Sequence, residues 1–234
     1  EIAMPQTETA ADTKLSLILA AGELFAERGL DGVSVRDIVG KAGATLSAVN
    51  YHFGSKSGLY LETIRYALER HINAEDAMTL LSEANPSSPQ EAADVLYRLI
   101  RRFCRTYLAP DHPQWYERLI NRAVVDASDD VSAAIAEVLR PTDDALHRLL
   151  LEHVPGLDPG SAGLWRMCLS GQIHYFLMAR RVINRLLDRS EEEYDEEFIE
   201  TAASHVARNM VVVLGLPSPT VQGPRPNELG GLQP

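Results

Sequence analysis

The sequence predicts an all-α protein of about nine helices, with three short helices at the N-terminus followed by a larger helical region. Apolar residues recur at intervals of three and four, and cap residues and Gly or Pro stops punctuate the segments. No segment shows the alternation of a half-buried strand. The 234 residues, 45% hydrophobic and 24% charged, suffice for a substantial core in one or two domains.

The first two helices are predicted from their termini. Gly29 ends the first helix, expected over 13–28, whose apolar stripe is Ile18, Ala21, Leu24 and Phe25. Ser34 and Asp37 have the spacing of a capping box, so a second helix is expected from Val35 to near Gly43.

The next two starts follow closely. Thr45 is expected to cap a very short third helix, and Ser55 a fourth that continues to about Ala84. The predicted pattern is therefore three short helices followed by a long one.

The remaining helices are also well marked. Ser88, Pro89 and Glu91 open a helix to Leu108, which Pro110 and Pro113 close. Pro141 is expected to interrupt or kink one of the later helices. We interpret Glu191 to Glu193 as carboxylates that offset a helix dipole rather than as an interaction patch. These later helices are predicted over 114–126, 129–154, 159–188 and 191–214, with Ser128, Asp158 and Ser190 as caps.

These elements suggest four segments. We expect a flexible N-terminal segment over 1–12, a helix-turn-helix domain over 13–60 and a helical domain over 61–215. The Pro- and Gly-rich residues 216–234 have little to bury and are predicted to be a poorly packed tail, ordered only by a partner.

Composition limits the classes of function. There is no apolar run long enough for a membrane span and no secretory signal pattern, which favours the cytoplasm. Cys104 and Cys168 are expected to be reduced core residues rather than a disulfide or redox switch. The scattered histidines form no metal-ligand pattern, and neither a catalytic nor a cofactor motif occurs, so no enzyme activity, metal or cofactor is expected.

The net charge of −11 is unevenly distributed. Residues 13–58 carry five bases and four acids, so they sum to +1 and the rest of the chain holds −12. This distribution is compatible with DNA binding, but it predicts strong salt dependence and weak non-specific affinity.

The third predicted helix and its flanks carry polar side chains suited to DNA. Leu46, Ser47 and Asn50 are expected to face base edges, because Asn can pair with adenine and Leu can contact a thymine methyl. Phe53 is expected to fill the small core. The side chains better suited to phosphate contact are Ser34, Thr45, Tyr51, His52 and Lys56, and Arg36 is a further candidate DNA-binding residue. The spacing alone leaves open a surface patch without any ligand.

Several ordered motifs strongly resemble the TetR family of bacterial one-component transcriptional regulators. The matching motifs are Leu24-Phe25-Ala26-Glu27-Arg28-Gly29, Val35-Arg36-Asp37-Ile38, Lys41-Ala42-Gly43, Tyr51-His52-Phe53 and Ser55-Lys56 through Gly58-Leu59-Tyr60. Ser47 and Asn50 depart from the common pattern, where many members have Gly and an aromatic residue. The resemblance implies a DNA-binding domain, here called the head and expected over 13–60, and an all-helical C-terminal domain, here called the body and expected over 61–215.

The later sequence resembles the C-terminal domain of CecR-like members. The segments that carry this resemblance are 113–120, 139–141, 171–176 and 179–183. It implies a body that dimerises and senses a small molecule, with an effector that differs among members.

The body can also be interpreted from its residues. Aromatic, Met and polar side chains could line a pocket for an amphipathic or aromatic ligand, although the same residues could form an ordinary helical core. The candidate ligand-binding residues are Arg105, Trp115, Arg118, Trp165, Gln172 and Tyr175. The last two long, largely apolar helices are predicted to pair with their symmetry mates in a homodimer.

These observations lead to one hypothesis and two alternatives. We expect a homodimeric repressor on a pseudo-palindromic double-stranded DNA operator, released when a small-molecule effector favours a different spacing of the heads. An activator or a regulator that answers to a protein is an alternative within this class. A helical ligand-binding protein or enzyme with a non-functional head is the alternative outside it.

Overall fold

A computed structural model describes residues 10–72, 78–81, 86–108, 113–189 and 193–221. Within these ranges the chain is helical and contains no strand, which confirms the predicted all-α class. The helices with defined bounds are α1 Ala10–Arg28, α2 Val35–Ala42, α3 Leu46–Phe53, α4 Lys56–Ile72, α5 Pro89–Leu108, α6 Gln114–Val125, α7 Asp129–His153, α8 Pro159–Met178, α9 Arg180–Leu186 and α10 Glu196–Val213.

Most predicted helix starts are confirmed because their cap residues make the expected bonds. The backbone N–H of Gly58 donates to Ser55 Oγ at 3.0 Å, and that of Glu91 donates to Ser88 Oγ at 3.2 Å. Asp158 caps α8 in the same way, and Ser128 caps α7. The chain is already helical at Ala10, so the predicted flexible segment is wrong for residues 10–12, while residues 1–9 lie outside the described ranges.

The C-terminal helices differ from the prediction. The single helix expected over 159–188 is two helices separated by Ala179, after which Arg180 pairs with Glu193. The last helix begins at Glu196, capped by Asp195 through its bond from the Phe198 N–H at 2.7 Å. Glu193 therefore precedes the helix instead of lying in its first turn. The predicted cap Ser190 and predicted start Glu191 lie outside the described residues.

Two further predictions concern the effect of Pro141 and the end of α4. Helix α7 continues across Pro141, so the predicted interruption is wrong. Helix α4 extends to Ile72, and residues 78–81 are again helical. The residues between them and the predicted end at Ala84 lie outside the described ranges. Pro110, the predicted stop of α5, also lies outside them.

The described residues form two compact units: residues 10–70 with 113–138 make up the first, and the remaining described residues make up the second. In the first unit, α1 packs against α2, α3 and α6. Leu17, Ala21 and Phe25 of α1 are completely buried. Helix α6 therefore joins the N-terminal helices, although it comes much later in the chain.

The second unit is organised around α5 and α10, which make its most extensive helix contact. Tyr97 of α5 is fully buried and its hydroxyl lies 3.2 Å from Ser204 Oγ of α10. The guanidinium groups of Arg101 and Arg208 lie over the Tyr97 ring, 5.4 and 5.1 Å from its centroid. Leu146 and Leu150 of α7 and Leu169 and Ile173 of α8 complete the core.

The start of the predicted tail is packed on this unit. Leu216 is buried, and the N–H of Thr220 donates to Asp94 Oδ1 at 2.7 Å. Gln90 Nε2 donates to the carbonyl of Ser218 at 3.0 Å. The prediction of a poorly packed tail is therefore wrong for residues 216–221, which we call the C-terminal strap, and residues 222–234 lie outside the described ranges.

Both cysteines are free thiols, but their environments differ. Cys104 is buried, and burial raises its pKa to about 12. Cys168 is exposed on α8, so its predicted place in the core is wrong. None of the helices within the described ranges combines the length and the apolarity that a membrane span requires.

Candidate nucleic-acid interface

Helix α2 begins with the predicted capping box. The N–H of Asp37 donates to Ser34 Oγ at 3.2 Å, and the Ser34 N–H donates to Asp37 Oδ2 at 2.9 Å. The Ser34 hydroxyl also donates to Asp37 Oδ2 at 2.6 Å. These bonds hold the pKa of Asp37 below its ordinary value, and the charge of Arg28 acts in the same direction. The Ser34 hydroxyl proton is therefore already used within the helix cap.

The turn between α2 and α3 fixes the direction of the third helix. Gly43 has a φ of 67°, which glycine adopts without strain and which ends α2. Thr45 then caps α3 by accepting from the Ala48 N–H at 3.3 Å. Its Oγ1 also lies 2.9 Å from Ser47 Oγ, so the two hydroxyls at the start of α3 orient each other.

One side of α3 is buried and the other faces solvent. Val49 is only 1% exposed and anchors the helix on the domain, whereas Leu46 is 48% and Tyr51 82% exposed. We call the four exposed side chains of this surface the reading face: Leu46, Ser47, Asn50 and Tyr51. A short polar helix with a free face of this kind can enter a DNA major groove.

The last two residues of α3 are less exposed than the reading face. His52 and Phe53 are half-buried, and the His52 ring makes an edge contact with Tyr51, with centroids 4.9 Å apart. Val49, not Phe53, is the fully buried α3 side chain, which corrects the predicted core role of Phe53.

Lys56 is bound to the backbone of its own domain. Its Nζ donates to the carbonyl oxygens of Leu30 at 2.8 Å and Val33 at 3.0 Å. Two of its three donors thus hold the α1–α2 connection against the start of α4. The predicted phosphate contact of Lys56 stays a prediction, as do the DNA contacts of Arg36, Tyr51 and the other candidates.

Helix α6 supports the head through contacts that the sequence did not indicate. The indole of Trp115 lies against Gly22, where a Cβ atom would come 2.6 Å from Cε3. Arg122 Nη2 donates to the Glu27 carbonyl at 3.5 Å. Burial, with a smaller effect of the Tyr66 hydroxyl, raises the pKa of Tyr116 to about 12. No periodicity signals such contacts, because they join segments far apart in sequence.

The predicted ligand-binding residues belong to two different units. Trp115 and Arg118 belong to the first unit, and the others to the second. Arg105 pairs with Glu196 and, at 3.2 Å, with Glu200. Trp165 packs against the core of the second unit, and the amide of Gln172 lies 3.4 Å from Met210 Sδ. Tyr175 is 57% exposed. Within the described ranges, no group of three potential metal ligands occurs.

Two family models match this sequence. Residues 17–63 match the model for bacterial regulatory proteins of the tetR family. Residues 92–215, more than half of the chain, match the C-terminal domain of the HTH-type transcriptional dual regulator CecR. The CecR protein of Shigella flexneri is 27% identical over 211 residues, which cover 86% of this chain and 91% of that protein.

Solved structures share the fold at low sequence identity. A TetR-family transcriptional regulator from Mesorhizobium loti has a TM-score of 0.56 and 22% identity, over 88% of this chain and 98% of its own. FadR from Bacillus subtilis, solved in complex with stearoyl-CoA, has a TM-score of 0.60 and 17% identity, over 86% of this chain and 96% of its own. The reading face thus lies within the segment that matches the tetR family model.

Proposed function

Since the chain belongs to the TetR family of DNA-binding transcriptional regulators, with a CecR-type C-terminal domain, we propose that it is a homodimeric repressor released from its operator by a small molecule. The observation that carries the proposal is the reading face, whose side chains are exposed while Val49 anchors the helix. Leu46, Ser47 and Asn50 would read base edges, and Thr45, Tyr51 and His52 would contact phosphates. Lys56 would contribute its third donor, and the Ser34 hydroxyl would exchange Asp37 for a phosphate. Arg36 is a further candidate DNA contact.

Dimerisation is supported by a line of exposed apolar side chains on α8 and α9. On α8 the spacings of three, eight and three residues keep Leu164, Met167, Tyr175 and Met178 within about 80° of one another around the helix axis. On α9, Val182 and Leu186 lie about one turn apart. Leu164 and Leu186, near the two ends of the line, are each 70% exposed. We call this surface the apolar stripe: Leu164, Met167, Tyr175, Met178, Val182 and Leu186. Exposed Val212 and Val213 at the end of α10 add to the apolar surface that a second copy would cover.

Light scattering coupled to gel filtration tests the dimer. The wild type is expected at twice the chain mass of 25.8 kDa, and Leu164→Asp at a lower mass, because a carboxylate in the interface would be desolvated. Val125→Asp is the matched control, since Val125 is also 70% exposed but lies in the first unit. A Leu164→Asp protein that stays dimeric would contradict the proposed interface.

The effector is proposed to bind in the C-terminal domain and to be amphipathic or aromatic. Half-buried aromatic side chains border the second core: Phe103, Tyr107, Trp165 and Phe176. The B. subtilis neighbour's complex with stearoyl-CoA makes that amphipathic molecule a suitable first probe. The six predicted binding residues remain candidates, with Trp165 and Gln172 adjoining this core and Arg105 on α5.

Two measurements test this function. The first is selection of duplexes from a random-sequence DNA library by the wild-type protein, which is expected to give a pseudo-palindromic site. The second is the effect of ligands that raise the melting temperature of the protein, which are expected to release the protein from the selected duplex. Selection of no duplex at low salt would favour a helical ligand-binding protein or enzyme with a non-functional head. Ligands that tighten DNA binding would contradict release by the effector. A DNA-bound regulator would work in the cytoplasm.

A further inference from the structure

The basic side chains of the head differ in what already binds them. Lys41 pairs with Glu23 at 2.5 Å, and Lys56 donates to two backbone carbonyls. Cations committed to their own domain gain less from a phosphate, so the phosphate contacts of the head call for cations that are held less firmly.

Lys14, in the second turn of α1, is held in this looser way. Its Nζ lies 3.7 Å from Glu62 Oε2, near the limit of an ion pair, and its side chain is 45% exposed. Glu62 already has a second partner, because Arg65 Nη1 lies 3.0 Å from its Oε1. An exposed pair of this geometry contributes little to stability, and Glu62 would keep a cation if Lys14 turned away.

The position of Lys14 places it beside the recognition helix. Its ammonium lies 5.9 Å from the centroid of the Phe53 ring at the end of α3. Phe53 follows Leu46 by seven residues, so on a helix of 3.6 residues per turn the two side chains point within roughly 20° of each other. Lys14 therefore stands at the edge of the reading face, where a groove-bound helix passes close to the DNA backbone.

We propose that Lys14 is a phosphate-contacting residue of the DNA interface, whose ammonium exchanges Glu62 for a DNA phosphate when the head binds. The inference rests on the DNA-binding function and assigns a positioning role, because phosphate contacts fix register without reading sequence. Helix α1 thereby contributes a contact in addition to those predicted on α2, α3 and α4.

The salt dependence of binding tests this assignment. The probe is a duplex selected from a random library by the wild-type protein, and its affinity is measured by fluorescence anisotropy between 50 and 200 mM potassium acetate. One lost phosphate contact changes the slope of log K against log salt by about 0.9, so Lys14→Ala is expected to make the slope of a dimer less negative by about 1.8. Lys14→Arg is expected to restore the wild-type slope.

Lys41→Ala is the matched control, because Lys41 is 44% exposed and carries the same charge but is paired at 2.5 Å. Its slope is expected to stay within about 0.5 of the wild-type slope. Melting temperatures measured on the same samples verify that each variant is folded.

Three outcomes would overturn the proposal. A Lys14→Ala slope equal to that of the wild type would exclude a phosphate contact even if affinity fell. An equal change for Lys41→Ala would mean that only net charge matters. If the wild-type protein selects no duplex, the proposed DNA-binding function fails, and the assignment of Lys14 fails with it. The first two outcomes would instead contradict the assignment of Lys14 while leaving DNA binding intact.

Discussion

At the scale of single residues, Lys56 shows how a side chain suited to DNA can serve the fold. Its bonds to the Leu30 and Val33 carbonyls close the connection before α2. Lys56→Met is expected to lower the free energy of unfolding by about 1–2 kcal/mol, because two carbonyls lose a charged donor at a half-buried position. Lys41→Met is the control, with a loss of about 0.5 kcal/mol expected for a surface ion pair. Equal losses in urea unfolding would contradict this role.

His174 is expected to make the free energy of unfolding depend on pH. Burial lowers its pKa, and its buried Nε2 has no hydrogen-bond partner among the described residues. The folded state favours the neutral ring, so this contribution to stability is present above the unfolded pKa of about 6.5 and is lost as pH falls through the lower folded value. Between pH 7.5 and 5.5, the free energy of unfolding measured in urea is expected to fall less for His174→Gln than for the wild type. His205→Gln, at an exposed site, is expected to behave like wild type.

At the scale of elements, the contact between α1 and α6 depends on one missing side chain. A Cβ atom at Gly22 would overlap the Trp115 indole, so Gly22→Ala is expected to cost about 1–3 kcal/mol through overpacking. Gly40→Ala is the control, because no atom lies within 4 Å of its added Cβ, and it is expected to stabilise α2 by about 0.5–1 kcal/mol. Chemical unfolding of both variants measures the difference, and a Gly22→Ala protein as stable as wild type would contradict the close approach.

The same elements separate what the sequence predicts from what it does not. The capping bonds of Ser34 and Thr45 join residues three apart, so the motif itself contains both partners. The break at Ala179 has no Gly or Pro beside it and coincides with tertiary contacts of Arg180 to Glu193 and the Tyr194 ring. The reading face could be predicted from helix-turn-helix spacing, whereas Lys14 became a candidate only once α1 was placed beside Phe53.

At the scale of the whole molecule, DNA affinity is expected to depend on the dimer. Two heads on one operator bind as linked sites, and linkage of this kind raises affinity by about 10² to 10⁴. Leu164→Asp is therefore expected to weaken operator binding at least about 100-fold although Leu164 lies outside the head unit. Anisotropy measurements with Val125→Asp as control check this expectation. An unchanged affinity in a monomeric variant would mean that one head suffices.

The single buried anchor of α3 has a consequence for how such a protein can diversify. Because Val49 alone is fully buried on that helix, the surrounding reading-face positions can be exchanged with little effect on folding. Gene duplication followed by substitution at Leu46, Ser47 and Asn50 could thus retarget a copy to new promoters while the body kept its own chemistry. Engineers could use the same tolerance to graft a chosen operator preference onto this scaffold.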